Sequence, residues 1–237
     1  QLWGRDTRVT SDILRQELDS SVPSKVSVLA IGPAGENLVR YACPVNDYYH
    51  VAGRCGAGAV MGTKRLKAIA VRGTGAVKIA RPEGFREAAR EARELIMAAV
   101  RATRMPGAPV DPRKLALERG CLPARNYQTG VVPQWLETRG RDIAAQYVTR
   151  KEGTCHACPI SCFELAEVKE GKYAGVKANR GTMPGVVNCW GAKCAIDNLP
   201  AIWKCKELCH ELGLDYASSS GTIAFAMELF QRGLITK

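Results

Sequence analysis

Apolar and polar positions change rhythm near residues 80–82, and the two rhythms predict different structure. In the N-terminal stretch the apolar runs are short. Residues 26–31 alternate as a half-buried strand and run into the breaker Gly32-Pro33-Ala34-Gly35. Residues 38–43 read as a second strand and 67–72 as a third, with Ile69 and Val71 on one face. Ahead of them, Thr10 or Ser11 is placed to cap a short helix over 12–18, striped by Ile13, Leu14 and Leu18. From Pro82 the period lengthens: Phe85, Ala88, Ala89, Ala92, Leu95, Ile96 and Ala99 recur at helical spacing. Prolines at 106, 109, 112, 123 and 133 predict loop over 105–135, with one short helix near 114–118. A helix is predicted over 141–148, then irregular chain over 163–190, then two closing helices. Asp197 or Asn198 caps the first of these, Pro200 suits its opening turn and Gly213 stops it. Ser219 or Ser220 opens the second, with Ile223, Ala226, Met227 and Phe230 as its core face and Gly233 as its stop. The predicted class is α+β: a mixed sheet-and-helix segment over 1–82, then a mostly helical domain over 83–237.

Composition narrows the class without changing it. At 237 residues the chain can bury a substantial core. No apolar run approaches the ~20 residues of a membrane span, and nothing at the start reads as a secretion signal. The chain opens on Gln1 and stops at Lys237 just after an amphipathic helix, which points to a fragment. Ten cysteines in so long a chain, three of them at ligand spacing, fit a reducing cytoplasm better than a disulfide framework. The net charge of +11 raises the question of nucleic acid. Basic residues are interleaved with acids, as in Arg86-Glu87 and Arg90-Glu91, and aromatics do not alternate with them as base stacking requires. The reading is therefore no nucleic acid and no membrane; the charge suits an acidic protein partner or anionic cofactor phosphates.

Two segments about a hundred residues apart carry the candidate chemistry. The first is the glycine turn Gly53-Arg54-Cys55-Gly56-Ala57-Gly58-Ala59-Val60-Met61-Gly62. Its glycines admit positive φ or close ligand approach, and Arg54 offers a guanidinium beside free amides, a match for phosphate or a planar polar ring. It fits neither the dinucleotide fingerprint nor the phosphate loop, so a plain turn between strands is the competing reading. The second is Cys155-x-x-Cys158-x-x-x-Cys162, whose soft thiolates suit an iron–sulfur cluster, zinc or no ligand at all. A closed centre needs a fourth ligand, from another cysteine, His156 or a residue outside the chain. Cys189, Cys194, Cys205 and Cys209 read as core packing. His50, His156 and His210 form no triad with serine and carboxylate, and His210 sits where it can meet a helix C-terminus.

Six segments in order resemble the tungsten-dependent aldehyde ferredoxin oxidoreductase family. They are Trp3-Gly4-Arg5-Asp6-Thr7, Ile31-Gly32-Pro33-Ala34-Gly35-Glu36-Asn37, the glycine turn through Lys64-Arg65-Leu66-Lys67, Leu122-Pro123-Ala124-Arg125-Asn126-Tyr127, the cysteine run with Pro159, and Gly213-Leu214-Asp215. The resemblance covers almost the whole chain. It implies an N-terminal domain that cradles a tungsten (or molybdenum) bis-pterin, completed by helical domains. It assigns cofactor contact to Arg54, Cys55, Gly56 and Ala57. A [4Fe-4S] cluster falls to Cys155, Cys158 and Cys162, with a fourth thiolate beyond Lys237. The family's D-x-x-G-L-D motif maps onto residues 210–215, giving His210, Leu214 and Asp215. The implied activity is oxidation of an aldehyde to a carboxylic acid, with electrons leaving to ferredoxin or another acidic carrier, and a homo-oligomer is in keeping with the family. Two departures stand out: His210 replaces the first aspartate of that motif, and Gly181-Thr182-Met183-Pro184-Gly185-Val186 has no carboxylate where the family carries E-Y-E-T. They leave room for another carbonyl or thioester substrate, or for a non-catalytic electron-transfer or zinc-stabilised scaffold.

Overall fold

The computed structural model describes residues 1–18, 26–73, 75–104, 115, 118–132, 148–151, 158–160, 164–179, 185 and 187–236. The chain is α+β. Helix α1 (Thr7–Leu18) precedes strand β1 (Ser27–Ala30), the one-turn helix α2 (Pro33–Glu36), β2 (Val45–Asn46), β3 (His50–Val51), α3 (Ala57–Thr63) and β4 (Ala68–Val71). The strands form an antiparallel sheet in the order β3-β2-β1-β4, with Val28 opposite Ala70 and Leu29 opposite Asn46. Alternation on β1 sends Val28 and Ala30 into a small core with Val26, Leu14, Ala68 and Ala70. Ile69 and Val71 do share a face, and it is the exposed one.

Helix α4 (Pro82–Arg104) follows the predicted period, yet Phe85 and Leu95 on its stripe are exposed. A second antiparallel sheet, β5 (Val148–Lys151), β6 (Glu164–Glu167) and β7 (Lys177–Asn179), comes next. One turn of π-helix over Val187–Ala192 leads to α5 (Leu199–Leu212) and α6 (Tyr216–Gln231). These pack a larger core around Trp203 and Ile202 with Trp190, Val168 and Val176. Burying side chains of this size is what holds the two closing helices on the sheet, at roughly 1.5–3 kcal/mol for each large apolar group.

Several local expectations are corrected. Helix α1 starts at Thr7, earlier than its apolar stripe suggested, and the buried hydroxyls of Thr10 and Ser11 donate back to the carbonyls of Asp6 and Thr7 at its opening. Residues 38–43 are turn with a single bridge at Ala42 rather than a strand. The glycine segment is not a link between strands: it turns and then opens α3. Residues 164–179 carry two strands where irregular chain was expected, and Val148 begins a strand where a helix was to end. The helix expected over 141–147 lies outside the described residues, as does most of that near 114–118. Asn198 caps α5 by accepting from the Ala201 amide at 2.9 Å, and Gly213 ends it at φ 71°. Helix α6 is capped by Asp215, not by a serine, since its carboxylate takes the Ser218 amide at 2.7 Å. Its expected core face is largely open: Ile223, Met227 and Phe230 are exposed while Ala224 is buried.

Candidate cofactor site

The glycine turn and the Gly213-Leu214-Asp215 segment, remote in sequence, meet through backbone. Cys43 N donates to the Gly213 carbonyl at 2.8 Å and Asp215 N to that of Tyr41 at 3.1 Å, around a bridge between Ala42 and Leu214. On the other side of the 40–43 strip, Gly58 N donates to the Ala42 carbonyl at 3.0 Å. A Cβ at Gly56 would lie 2.4 Å from the Arg40 carbonyl oxygen, so only glycine fits there. A Cβ at Gly53 would stand 3.0 Å from Asp215 Oδ1, which puts the two motifs side by side.

Arg54, Cys55 and Gly56 are consecutive left-handed residues, with φ of 63°, 55° and 73°. Such a run in residues with side chains is strained and persists only where its surroundings enforce it. Here Gly56, locked under Arg40, supplies that enforcement, and Arg54 and Cys55 are left exposed at the lip of the turn. Ala57 is the first residue of α3.

The opposite wall is the π-helix and the start of α6. Cys189 is half-buried, and burial pushes its thiol up; Lys193, Ser220, Asp215 and Arg54 all lie within its electrostatic reach. Lys193 Nζ donates to the Ala217 carbonyl at 3.4 Å and stands 5.9 Å over the Tyr127 ring. Asn126 in turn donates to Glu228 at 2.7 Å, tying the Leu122–Tyr127 motif to α6. Cys189, Lys193 and Tyr216 were missed as site residues. The wider π turn is invisible to a 3.6-residue reading, and Tyr216 looked like an ordinary helix residue. Cys194 and Cys209 are buried as expected, and Cys43 is buried too: Cys43 and Cys209 are pushed up to about 12 and Cys194 to about 11, chiefly by burial, so they stay neutral.

His210 is placed differently. Its ring packs edge-on to Tyr49 at 6.5 Å, among Lys206, Arg8 and His50, and its carbonyl accepts from Thr7 Oγ1 at 2.7 Å. Burial, then these cations, lowers it to about 3. The unfolded imidazole titrates near 6.5, so between 6.5 and 3 the unfolded chain binds more protons and stability falls with pH. Dropping from pH 7 to pH 5 is expected to cost about 2 kcal/mol through this group. Chemical denaturation at the two pH values measures the loss, and His210→Gln should remove it.

Of the cysteine run, Cys158 is described; Cys155 and Cys162 lie outside the described residues, as does His156. Cys158 and Pro159 line a cavity of about 720 Å³ against Arg86, Arg90, Arg93, Ala89, Ala92 and Ile96 of α4. Among the described residues no member of the glycine turn lines this cavity.

The family model for aldehyde ferredoxin oxidoreductase, N-terminal domain, matches residues 1–73, and that for domains 2 and 3 of the same enzyme matches 87–237. The chain belongs to the aldehyde ferredoxin oxidoreductase family. It is 38% identical over 240 residues to the tungsten-containing aldehyde ferredoxin oxidoreductase of Pyrococcus furiosus, covering 99% of this chain and 38% of that protein. The Thermococcus kodakarensis protein of the same name is 37% identical over 243 residues, with the same coverage of each. The WOR-like subunit of an aliphatic sulfonate oxidoreductase from Pyrococcus furiosus is 29% identical over 97% of this chain and 36% of its own length. Among solved structures, the active site complex BamBC of benzoyl coenzyme A reductase, bound to 1,5-dienoyl-CoA, superposes with a TM-score of 0.75 at 25% identity. That match covers 99% of this chain and 36% of the other. The chain thus spans little more than a third of the length of these relatives. Within the aldehyde ferredoxin oxidoreductase family the matched segments fall on either side of residues 74–86, close to the change of rhythm at 80–82.

Proposed function

We propose that this chain is the cofactor-holding portion of a tungstopterin and iron–sulfur oxidoreductase that oxidises aldehydes to carboxylic acids. The observation that carries the reading is the approach of Gly53 to Asp215, so close that an added Cβ would stand 3.0 Å from Oδ1, with Arg54 exposed beside them. The turn fits a phosphorylated cofactor: its backbone is open, its guanidinium is free of any resolved ion pair among the described residues, and glycines keep side chains out of the approach. A bis-pterin would be held by Arg54 and the backbone of Cys55, Gly56 and Ala57 on one side, and by Leu214 and Asp215 on the other. His210 would act through its backbone, since its carbonyl also receives the Gly213 amide at 3.1 Å. When bound, the tungsten centre supplies two-electron redox chemistry. Cys155, Cys158 and Cys162 would hold a [4Fe-4S] cluster, for which three thiolates at this spacing are a chemically suited donor set.

The names of the relatives support ferredoxin, or another acidic carrier, as the electron acceptor and a carbonyl compound as substrate. The sulfonate and benzoyl coenzyme A enzymes favour a second reading in which the substrate is a different carbonyl or thioester. A cytoplasmic location, a division at residue 82 and a homo-oligomeric state complete the proposal. Among the described residues no helix is long and apolar enough to cross a membrane. Metal analysis of the full-length protein tests the reading: tungsten or molybdenum with about four irons per chain is expected, and zinc alone refutes it. Two substitutions should separate the centres. Cys158→Ser is expected to lower bound iron sharply with tungsten less affected, and Arg54→Ala to lower pterin retention at least tenfold, or about 1.5–3 kcal/mol for a charge-assisted contact.

A further inference from the structure

Along α4 the charges alternate in sequence but separate in space. At about 100° per residue, Arg86, Arg90 and Arg93 form one stripe, with Ala89, Ala92 and Ile96 along one side of it. Glu83, Glu87, Glu91 and Glu94 fall on its other side. The cavity of about 720 Å³ against Cys158 and Pro159 is lined by the three arginines and the three apolar residues, and no glutamate is among the described residues around it. All three arginines are exposed. Arg90 meets Glu87 only across an exposed contact of 3.9 Å, and Arg86 Nε donates to the Pro82 carbonyl at 3.4 Å. Among the described residues neither Arg86 nor Arg93 pairs with a carboxylate. Cys158 is a half-buried free thiol. The cavity thus joins an apolar strip and a guanidinium strip without matching acids to one of the three cysteines at cluster spacing.

We propose that the stripe Arg86, Arg90 and Arg93 is the docking face for an acidic electron-carrier protein, which sets its carboxylates on the guanidiniums and its redox centre beside Cys158. This assignment rests on the iron–sulfur reading of Cys155, Cys158 and Cys162 above. Charge complementarity selects the occupant. The net charge of +11 draws an acidic protein to the molecule as a whole, while the local stripe fixes where it lands. Guanidiniums suit the task, since their planar forks take carboxylates bidentately and they are weakly hydrated. The cavity beside Ala89 and Ala92 leaves room for a protruding acidic loop of the partner. Oxidising one aldehyde with water to its carboxylic acid releases two electrons and two protons. Two oxidised carriers therefore take one electron each at this face in turn, and the protons go to water.

The test uses the full-length, metal-loaded protein with a purified acidic [4Fe-4S] ferredoxin as carrier and benzaldehyde as substrate. Combining Arg86→Gln, Arg90→Gln and Arg93→Gln is expected to weaken ferredoxin binding, read by calorimetry, by roughly tenfold at about 50 mM NaCl. At about 500 mM NaCl the difference from wild type should shrink below about twofold, because salt screens exposed charges. The KM for ferredoxin should rise in step with kcat unchanged. Iron content, melting temperature and the rate with a small uncharged quinone acceptor should stay at wild-type levels. Removing the same charge at Lys78, Lys169 and Lys172, exposed lysines that do not line the cavity, should weaken binding by less than about twofold. An arginine triple variant that keeps its ferredoxin affinity overturns the docking face. So does one that loses iron, which would make the arginines structural, or a lysine triple variant that weakens binding equally, which would make net charge the cause. A wild-type protein without iron overturns the iron–sulfur reading itself, whereas an iron-loaded wild type with an indifferent arginine variant overturns the docking face alone.

Discussion

Lys67→Met is expected to destabilise the fold by about 3–5 kcal/mol, because it strands a carboxylate in the interior. Lys67 Nζ pairs with the Glu36 carboxylate, and both side chains are nearly inaccessible, at 9% and 6%. The ammonium also donates to the Arg5 carbonyl at 2.6 Å, and both Glu36 oxygens accept from the Gly4 amide at 2.9 Å. One buried pair therefore fastens the N-terminal segment, α2 and the strand β4 to each other. Methionine keeps the length of the side chain but leaves Glu36 with a single backbone donor and no countercharge. The penalty measured is desolvation of an unpaired charge more than the value of the pair. Combining Lys67→Met with Glu36→Gln should accordingly recover a good part of the loss. The exposed Arg90–Glu87 contact at 3.9 Å is the control: its removal should change the denaturation midpoint by less than ~0.5 kcal/mol. If Lys67→Met proved as mild as that, the interior placement of the pair would be refuted.

Lys67 also shows where the sequence was legible and where it was not. It stands with Lys64 and Arg65 after the glycine turn, and nothing in that grouping marks Lys67 as the buried one. Its commitment to Glu36 depends on the sheet register that carries it to α2, and no local pattern encodes that. Elements defined by local chemistry were readable: β1 from alternation, α4 from its helical period, α5 from Asn198, Pro200 and Gly213. Those whose conformation is imposed from afar were not. Residues 38–43 have strand-like composition, but they are pinned as a strip between Gly58 and Gly213 and make one bridge only. Asp215 lay inside a recognised motif, and its second role as the cap of α6 emerges only once the Ser218 amide is seen on its carboxylate.

The candidate site divides in the same way. Arg54, Cys55, Gly56 and Ala57 could be named because glycine spacing is visible in one dimension, and the structure sets Gly53, which leads into them, beside Asp215. Leu214 and Asp215 follow from the resemblance and are brought to the turn by backbone pairing. His210 belongs to the same motif, yet its ring turns to Tyr49 because helical geometry sends it toward α1, away from the turn that follows. Cys189, Lys193 and Tyr216 needed the π-helix and the first turn of α6 to be seen in space.

Gly213→Ala is expected to damage both stability and the site, by about 2–5 kcal/mol. Two costs combine. Gly213 has φ 71°, where a side chain loses roughly 1–2 kcal/mol. A Cβ would also stand 2.6 Å from Gly32 N and 3.2 Å from the Cys43 carbonyl oxygen, and forcing such an approach adds roughly 1–3 kcal/mol. The second cost falls on the joint itself, since Gly213 accepts the Cys43 amide at 2.8 Å and leads into Asp215, whose amide holds Tyr41. Relief of the clash can come only by moving α5 off the Gly32 turn, which pulls Asp215 from Gly53. Gly233 separates the two contributions: it has the same φ of 71° with nothing within 4 Å of a Cβ, so Gly233→Ala should show the strain alone. Hydrogen exchange at the Cys43 and Asp215 amides provides the local reading. Protection there should collapse in Gly213→Ala and survive in Gly233→Ala; equal protection in both would mean that the two motifs are not joined through this glycine.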